Sequence, residues 1–244
     1  TLTAKWTPEV YSVTFKNYDG TELAKENVSY GSLPQYSATP EKPGNAQYSY
    51  AFVRWVDENG QTVDLANIDK NIILTAEFAE TLNKYKVTFK NGDEVLKEAQ
   101  VEYGTMPTAP ETNPTKAADA QYTYTFKGWD KELAAVTGEV VYNAEFTGTL
   151  NTYKVTFKNG DEVLKEEQVE YGTTPTAPET NPTKAADAQY TYTFKGWDKE
   201  IAAVTGEVVY NAEFTGTLNK YKVTFKNGEE VLKEEQVEYG TVPT

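Results

Sequence analysis

The sequence contains no cysteine, no histidine and a single methionine in 244 residues. The missing cysteine excludes a disulfide framework and thiolate chemistry, so stability has to come from packing. The missing histidine removes the side chain most often used as a general base and as a metal ligand. Long apolar runs are absent as well, each being broken by Lys, Thr or Glu far short of the roughly 20 residues that span a bilayer. Basic charge is scarce, 23 Lys and Arg against 37 Asp and Glu, and the net charge of −14 repels nucleic acid and anionic membrane surfaces. The opening TLTAKWTPEV lacks the pattern of a signal peptide, so an export signal or anchor is expected outside this sequence.

What the sequence has in quantity is copies of itself. NPTKAADAQYTYTFKGWDKE occurs at Asn113–Glu132 and again at Asn181–Glu200 without a change. A shift of 68 residues superimposes Asn83–Leu150 on Asn151–Leu218 with four differences, Lys84/Thr152, Ala99/Glu167, Met106/Thr174 and Leu133/Ile201. A more divergent copy precedes them. Its Tyr11, Phe15, Tyr30-Gly31, Trp55 and TAEF (Thr75–Phe78) stand at the places of Tyr85, Phe89, Tyr103-Gly104, Trp129 and NAEF. The offset there is 74, because VDENGQTVDLANIDKNIIL is longer than its counterpart. The expected organisation is therefore residues 1–6 as the last strand of a preceding repeat, full modules at 9–80, 83–148 and 151–216, and the start of a further repeat at 219–244. A period of this length exceeds the 20–50 residues usual for solenoids and suits a small domain with a radius of gyration of roughly 11 Å.

Within a module the periodicity is that of strands. YKVTFK alternates Tyr85, Val87 and Phe89 with Lys86, Thr88 and Lys90, which predicts one buried and one open face. Asn91-Gly92 predicts a hairpin turn, because both residues tolerate positive φ, and EVLKEAQVEY returns as the second strand. QYTYTFKGW places Tyr122, Tyr124 and Phe126 on one face, with Gly128 allowing a bulge that turns Trp129 inward. EVVYNAEF closes the set with Val140, Tyr142, Ala144 and Phe146. Between the second and third strands, Pro107, Pro110 and Pro114 forbid a regular strand or long helix, while TKAADA suits one helical turn. Composition alone leaves two places for the joint between modules, this Pro-rich stretch or TGTLN (Thr147–Asn151). A five-residue joint at TGTLN is too short to behave as a flexible coil and predicts a stiff rod.

YKVTFKNGDEVLKEAQVEYG, a Pro-containing connection, YTFKGW and a closing VVYNAEF together resemble the Listeria–Bacteroides repeat, or internalin B-repeat, of bacterial surface proteins. The resemblance covers the three full modules and both partial ones. It implies a mainly β, β-grasp-like (α+β) fold of small four-stranded modules, an extracellular location at the bacterial surface or in secretion, and a stalk or adhesive role. It also implies a module start near Tyr85, and hence the TGTLN joint. Two departures stand out: a longer Pro-rich connection, and Arg54 ahead of Trp55 in place of Gly128, which predicts that the first module lacks the bulge.

No catalytic, cofactor or metal site is expected. There is no Gly-rich nucleophile turn or phosphate loop, and serial duplication does not help a single active site. The acidic clusters Asp57–Gly60 and Asn91–Glu94 lack the alternating ligand spacing of a Ca²⁺ loop and read as turns. Lys86, Asn143 and Glu145 have the residue types of an internal isopeptide crosslink, with Lys90 and Lys16 as other donors, but Ser12 and Thr75 stand at the first module's matching places. Tyr, Phe and Trp could stack on sugars, yet they fall at core spacing. The expected function is a non-catalytic stalk or spacer projecting a functional domain, the alternative being an adhesin whose repeats bind host glycan, mucin or matrix ligands multivalently. Expected partners are neighbouring repeats of the same chain and, through the incomplete ends, other molecules, with host glycan or matrix protein added on the adhesin reading.

Overall fold

The structure is a computed structural model that describes residues 1–244, all strand and turn with no helix. The first sheet holds β1 (Val10–Lys16), β2 (Glu22–Ser29), β3 (Tyr48–Val56) and β4 (Ile72–Leu82) in the order β2-β1-β4-β3. The second holds β5 (Lys84–Asn91), β6 (Glu94–Glu102), β7 (Tyr122–Trp129) and β8 (Val140–Leu150), and the third β9 (Thr152–Asn159), β10 (Glu162–Glu170), β11 (Tyr190–Trp197) and β12 (Val208–Leu218), both in the corresponding order. A two-stranded sheet of β13 (Lys220–Asn227) and β14 (Glu230–Glu238) follows. The chain forms two compact units, Thr1–Pro114 with Gly128–Glu145, and Thr115–Lys127 with Phe146–Thr244, a division that crosses β7 and β8.

In each four-stranded sheet two antiparallel hairpins meet through a parallel central pair, Val13–Lys16 on Ile72–Thr75 in the first and Val155–Lys158 on Val208–Asn211 in the third. This is the mixed order expected of a β-grasp-like sheet. A crossover is needed to bring the second hairpin round to a parallel pairing. Here an irregular Pro-rich connection does that work in place of a helix. In the third module Pro175 and Pro182 of this connection are buried. Lys165 Nζ donates to Thr176 O at 2.7 Å and Asn159 Nδ2 to Thr183 O at 2.9 Å, tying the connection down. The helical turn expected at TKAADA (Thr115–Ala120) does not form. The stretch instead runs irregularly to a turn closed by the Asp119 N–H on Tyr122 O at 3.0 Å, which leads into β7.

The cores are small and aromatic. Val155, Phe157, Val169, Val204 and Tyr210 are buried in the third module, with Trp197, Ile201 and Ala177 against them. Phe157 stacks on Tyr210 and meets Trp197 edge-on, both at 4.9 Å. The second module repeats this with Val87, Phe89, Val136 and Tyr142 beside Trp129. The first uses Val13, Phe15, Val28, Ile68 and Leu74, and Tyr36 from its connection stacks on Phe15 at 5.1 Å. Tyr122, Tyr124 and Phe126 share a face as expected but are only half-buried, beyond the core proper. Thr88, expected on the open face, is 3% exposed, because β5 lies between two neighbours whose side chains cover it.

Three local expectations change. The hairpin after β5 turns on Gly92 and Asp93, with Asn91 paired to Glu94 and only Gly92 at positive φ (60°), so the turn is of the type that needs one left-handed residue. Asn91 therefore ends the strand. Second, the bulge before the tryptophan occurs in the first module too, where the register shifts between Phe52 and Arg54 as it does between Phe194 and Gly196 in the third. Arg54 makes it without positive φ, whereas Gly196 sits at 141°. Without the extra residue, strict alternation would turn Trp55 and Trp197 outward. Third, Thr1–Trp6 form no strand and are exposed, while β13 and β14 pair only with each other.

Candidate functional site at the module junctions

TGTLN does not form a five-residue linker. Thr147–Leu150 belong to β8, so Asn151 alone separates β8 from β9, as Asn83 separates β4 from β5 and Asn219 separates β12 from β13. Each junction lies within one compact unit. A single residue has little freedom, and this one spends what it has. The Asn151 N–H donates to Gln121 O at 2.9 Å, and its carbonyl accepts the Tyr171 N–H at 2.9 Å. Its Nδ2 donates to Asp119 O at 2.8 Å and to Ala120 O at 3.2 Å. Its Oδ1 accepts from Thr123 Oγ1 at 2.7 Å. Tyr153, two residues on, donates its hydroxyl to Ala120 O at 2.6 Å. The side chains that open one module are thus bonded to the loop that precedes the third strand of the module before.

The pattern recurs. Asn83 Nδ2 donates to Asn45 O at 2.7 Å and Ala46 O at 3.2 Å, and Tyr85 OH to Ala46 O at 2.6 Å. Asn219 Nδ2 donates to Asp187 O at 2.7 Å, and Tyr221 OH to Ala188 O at 2.6 Å. The receiving loop is itself held. Asp119 Oδ1 accepts the N–H groups of Gln121 and Tyr122 at 2.8 and 2.7 Å, and its Oδ2 accepts the Tyr124 hydroxyl at 2.8 Å. The Tyr122 N–H, then the Tyr124 hydroxyl and the Gln121 N–H, hold the Asp119 carboxyl below its ordinary value, and donating to Asp119 raises Tyr124. Lys116 Nζ lies 3.8 Å from the centre of the Tyr124 ring. Gly148 is required by close approach, since a Cβ there would lie 3.1 Å from the Tyr122 ring and 3.3 Å from Tyr124. In the third module the corresponding Tyr192 and Gly216 are direct cross-strand partners, an aromatic ring covering a glycine.

The other candidates fall apart or resolve into structure. Lys86 pairs with Glu98 at 2.7 Å and sits four residues from Lys90, the residue opposite Asn143, hence about 13 Å along the strand. The Asn143 Nδ2 donates to Asp130 Oδ2 at 2.9 Å. Burial pushes Asp130 up, but the hydrogen bonds from Asn143 outweigh it and leave the carboxyl below its ordinary value. Lys86 and Asn143 are therefore not brought together; Lys90, the other donor of this module, is the cross-strand partner of Asn143, but the amide it would attack is already held by Asp130. Asp57 Oδ1 accepts the N–H groups of Gln61 and Asn59 at 2.8 and 2.9 Å, which is turn closure. The tryptophans Trp55, Trp129 and Trp197 pack on the cores.

A family model described as the Listeria-Bacteroides repeat domain matches residues 11–77, 85–152 and 153–219. A protein of Evansella cellulosilytica named as a Gly-rich membrane protein is 28% identical over 264 residues, covering 99% of this chain and 28% of its own length. A second protein of that organism, named as a membrane protein, is 28% identical over 241 residues, covering 92% of this chain and 34% of its own. The chain thus spans about a third or less of these relatives. A solved structure of tandem SHIRT domains 3-4 from a streptococcal cell surface protein aligns at a TM-score of 0.28 and 22% identity, over 55% of this chain and 99% of that one.

Proposed function

The chain belongs to the Listeria-Bacteroides repeat family, and from that premise we propose that its modules are non-catalytic spacer repeats of a bacterial cell-surface or secreted protein, holding another part of that protein away from the cell. One observation carries the reading: a lone Asn joins each sheet to the next, and its side chain is bonded to carbonyls of the module before. Flexible linkers need several free residues, and here none is free. In this reading the repeating units are 83–148 and 151–216, the partner of each module is its neighbour, and each added copy extends the reach by a fixed step on the order of 30 Å. The membrane names of the relatives support a place at the cell envelope.

The test is a series of arrays with increasing module number. Small-angle scattering should give a maximum dimension that rises by the same increment per module, and immobilised mucin, glycans and matrix proteins should retain none of them. A dimension that grows only as the square root of module number would refute the stiff spacer. Binding that strengthens with module number would make the repeats an adhesin instead.

A further inference from the structure

The path of the chain through each module determines how that module responds to a pull. In the third module the chain enters at the N-terminal end of β9 and leaves at the C-terminal end of β12. These two strands are the parallel central pair, matched from Val155↔Val208 to Lys158↔Asn211. The matched residues are in the second half of β9 and the first half of β12. The free half of β9 therefore leads back to Asn151 and the free half of β12 runs on to Asn219, in opposite directions along the strand axis. Tension applied through the chain slides β9 against β12. Sliding loads all the rungs between the strands at once, whereas pulling two strands apart from one end breaks them in turn.

One face of the pair is also dry. Phe157 and Tyr210 are partners in this ladder, are 0% and 3% exposed, and have their rings stacked at 4.9 Å. Val155 is 0% exposed. Water, which competes for backbone hydrogen bonds and lowers their net worth, is kept from these rungs on that face, while Val209 on the other is 40% exposed. The first module has the same path, β1 in and β4 out, with Val13–Lys16 matched to Ile72–Thr75. We infer that each module is a shear clamp, a unit that carries tensile force along the chain through its parallel central pair while staying folded. This further function, a tension-bearing tether, rests on where the chain enters and leaves a sheet and does not depend on the spacer reading.

Single-molecule pulling on the full chain tests it, and the absence of cysteine makes engineered thiol handles unique. Thr152→Cys with Thr217→Cys loads the third module in shear. Thr191→Cys with Thr217→Cys, at residues that are direct partners in β11 and β12, opens the same sheet from one end. The expected result is a several-fold higher rupture force for the first pair at matched loading rate, followed by release of roughly 220 Å of chain, against roughly 90 Å for the second pair. Equal forces, or a lower force for the first pair, overturn the proposal. Thermal unfolding of each variant beside the parent checks that the handles leave the fold intact. Val10→Cys with Thr81→Cys against Ser49→Cys with Thr81→Cys repeats the comparison in the first module, where Ser49 and Thr81 are partners. The same ordering of forces is required there.

Discussion

Replacing Asn151 with alanine separates the junction from the rest of the fold. The substitution deletes the two contacts from Nδ2 to Asp119 O and Ala120 O and the one that Oδ1 accepts from Thr123, at 2.8, 3.2 and 2.7 Å. It leaves the Tyr153 hydroxyl on Ala120 O and both backbone bonds of residue 151 available. A net hydrogen bond contributes about 0.5–1.5 kcal/mol, and the groups released here are exposed enough to be rehydrated, so the total loss is about 1–3 kcal/mol. A local loss of that size speeds opening by roughly 5–150-fold. Hydrogen exchange reads it where it occurs. The amides of residues 151 and 171, bonded to Gln121 O and Asn151 O, should exchange faster by that factor. Residues 219 and 239, which make the same bonds at the next junction of the same molecule, should not change. Asn151→Asp should cost more than alanine at neutral pH, because it sets a carboxylate oxygen against two carbonyl oxygens, and its penalty should shrink as acid protonates the new group. Unchanged exchange at 151 and 171 in the alanine variant would refute the claim that the side chain holds the junction.

Trp129→Ala removes the ring that meets Phe89 edge-on at 4.9 Å and should destabilise the second module by roughly 3–5 kcal/mol, read by calorimetry as an early transition. Gly148→Ala puts a methyl group 3.1 Å from the Tyr122 ring and should cost roughly 1–3 kcal/mol, with no loss expected for Gly138→Ala, which meets nothing within 4 Å. The fold holds the Asp119 and Asp187 carboxyls below their ordinary values, so their contribution is present above about pH 4 and is lost as pH falls through the folded values. The Tyr122 and Tyr190 amide shifts should titrate in that acid window, whereas Tyr48, whose loop is closed by the neutral Asn45, should stay flat. Intact mass should equal the sequence mass, since Asn143 and Asn211 have their amides on Asp130 and Asp198; a deficit of one ammonia per module would reveal a crosslink.

Much of the sheet was legible because strand faces follow a period of two. Val87 and Phe89 are buried where the alternation puts them, and Trp129 reaches the core through a bulge that Gly128 announces. Val136 and Val204, each 2% exposed, were not readable, because AAV in a long loop carries no periodicity and its burial depends on which sheet the loop lies against. Arg54 concealed a bulge that its backbone makes without glycine's freedom. The junction was hidden for a different reason. Asn151 stands in a polar segment that reads as a linker, and its partners Asp119 and Ala120 are more than thirty residues away, so no local pattern connects them.

That separation explains why the module can be copied without change. Each copy carries both halves of the junction: the Asn and Tyr that open it, and the Asp-Ala-Gln loop that receives the next copy's pair. Any copy can therefore follow any other without a new interface. The first module marks the limit of this interchange, because its own opening residue is Glu9, whose carbonyl accepts the Tyr30 N–H as that of Asn83 accepts Tyr103. A carboxylate has no N–H to give to a loop carbonyl. Tyr11, at the place of Tyr85 and Tyr153, turns its hydroxyl to Glu9 Oε2 at 2.6 Å instead. The change from Asn to Glu thus leaves this position without the side-chain N–H donors on which the other three junctions depend.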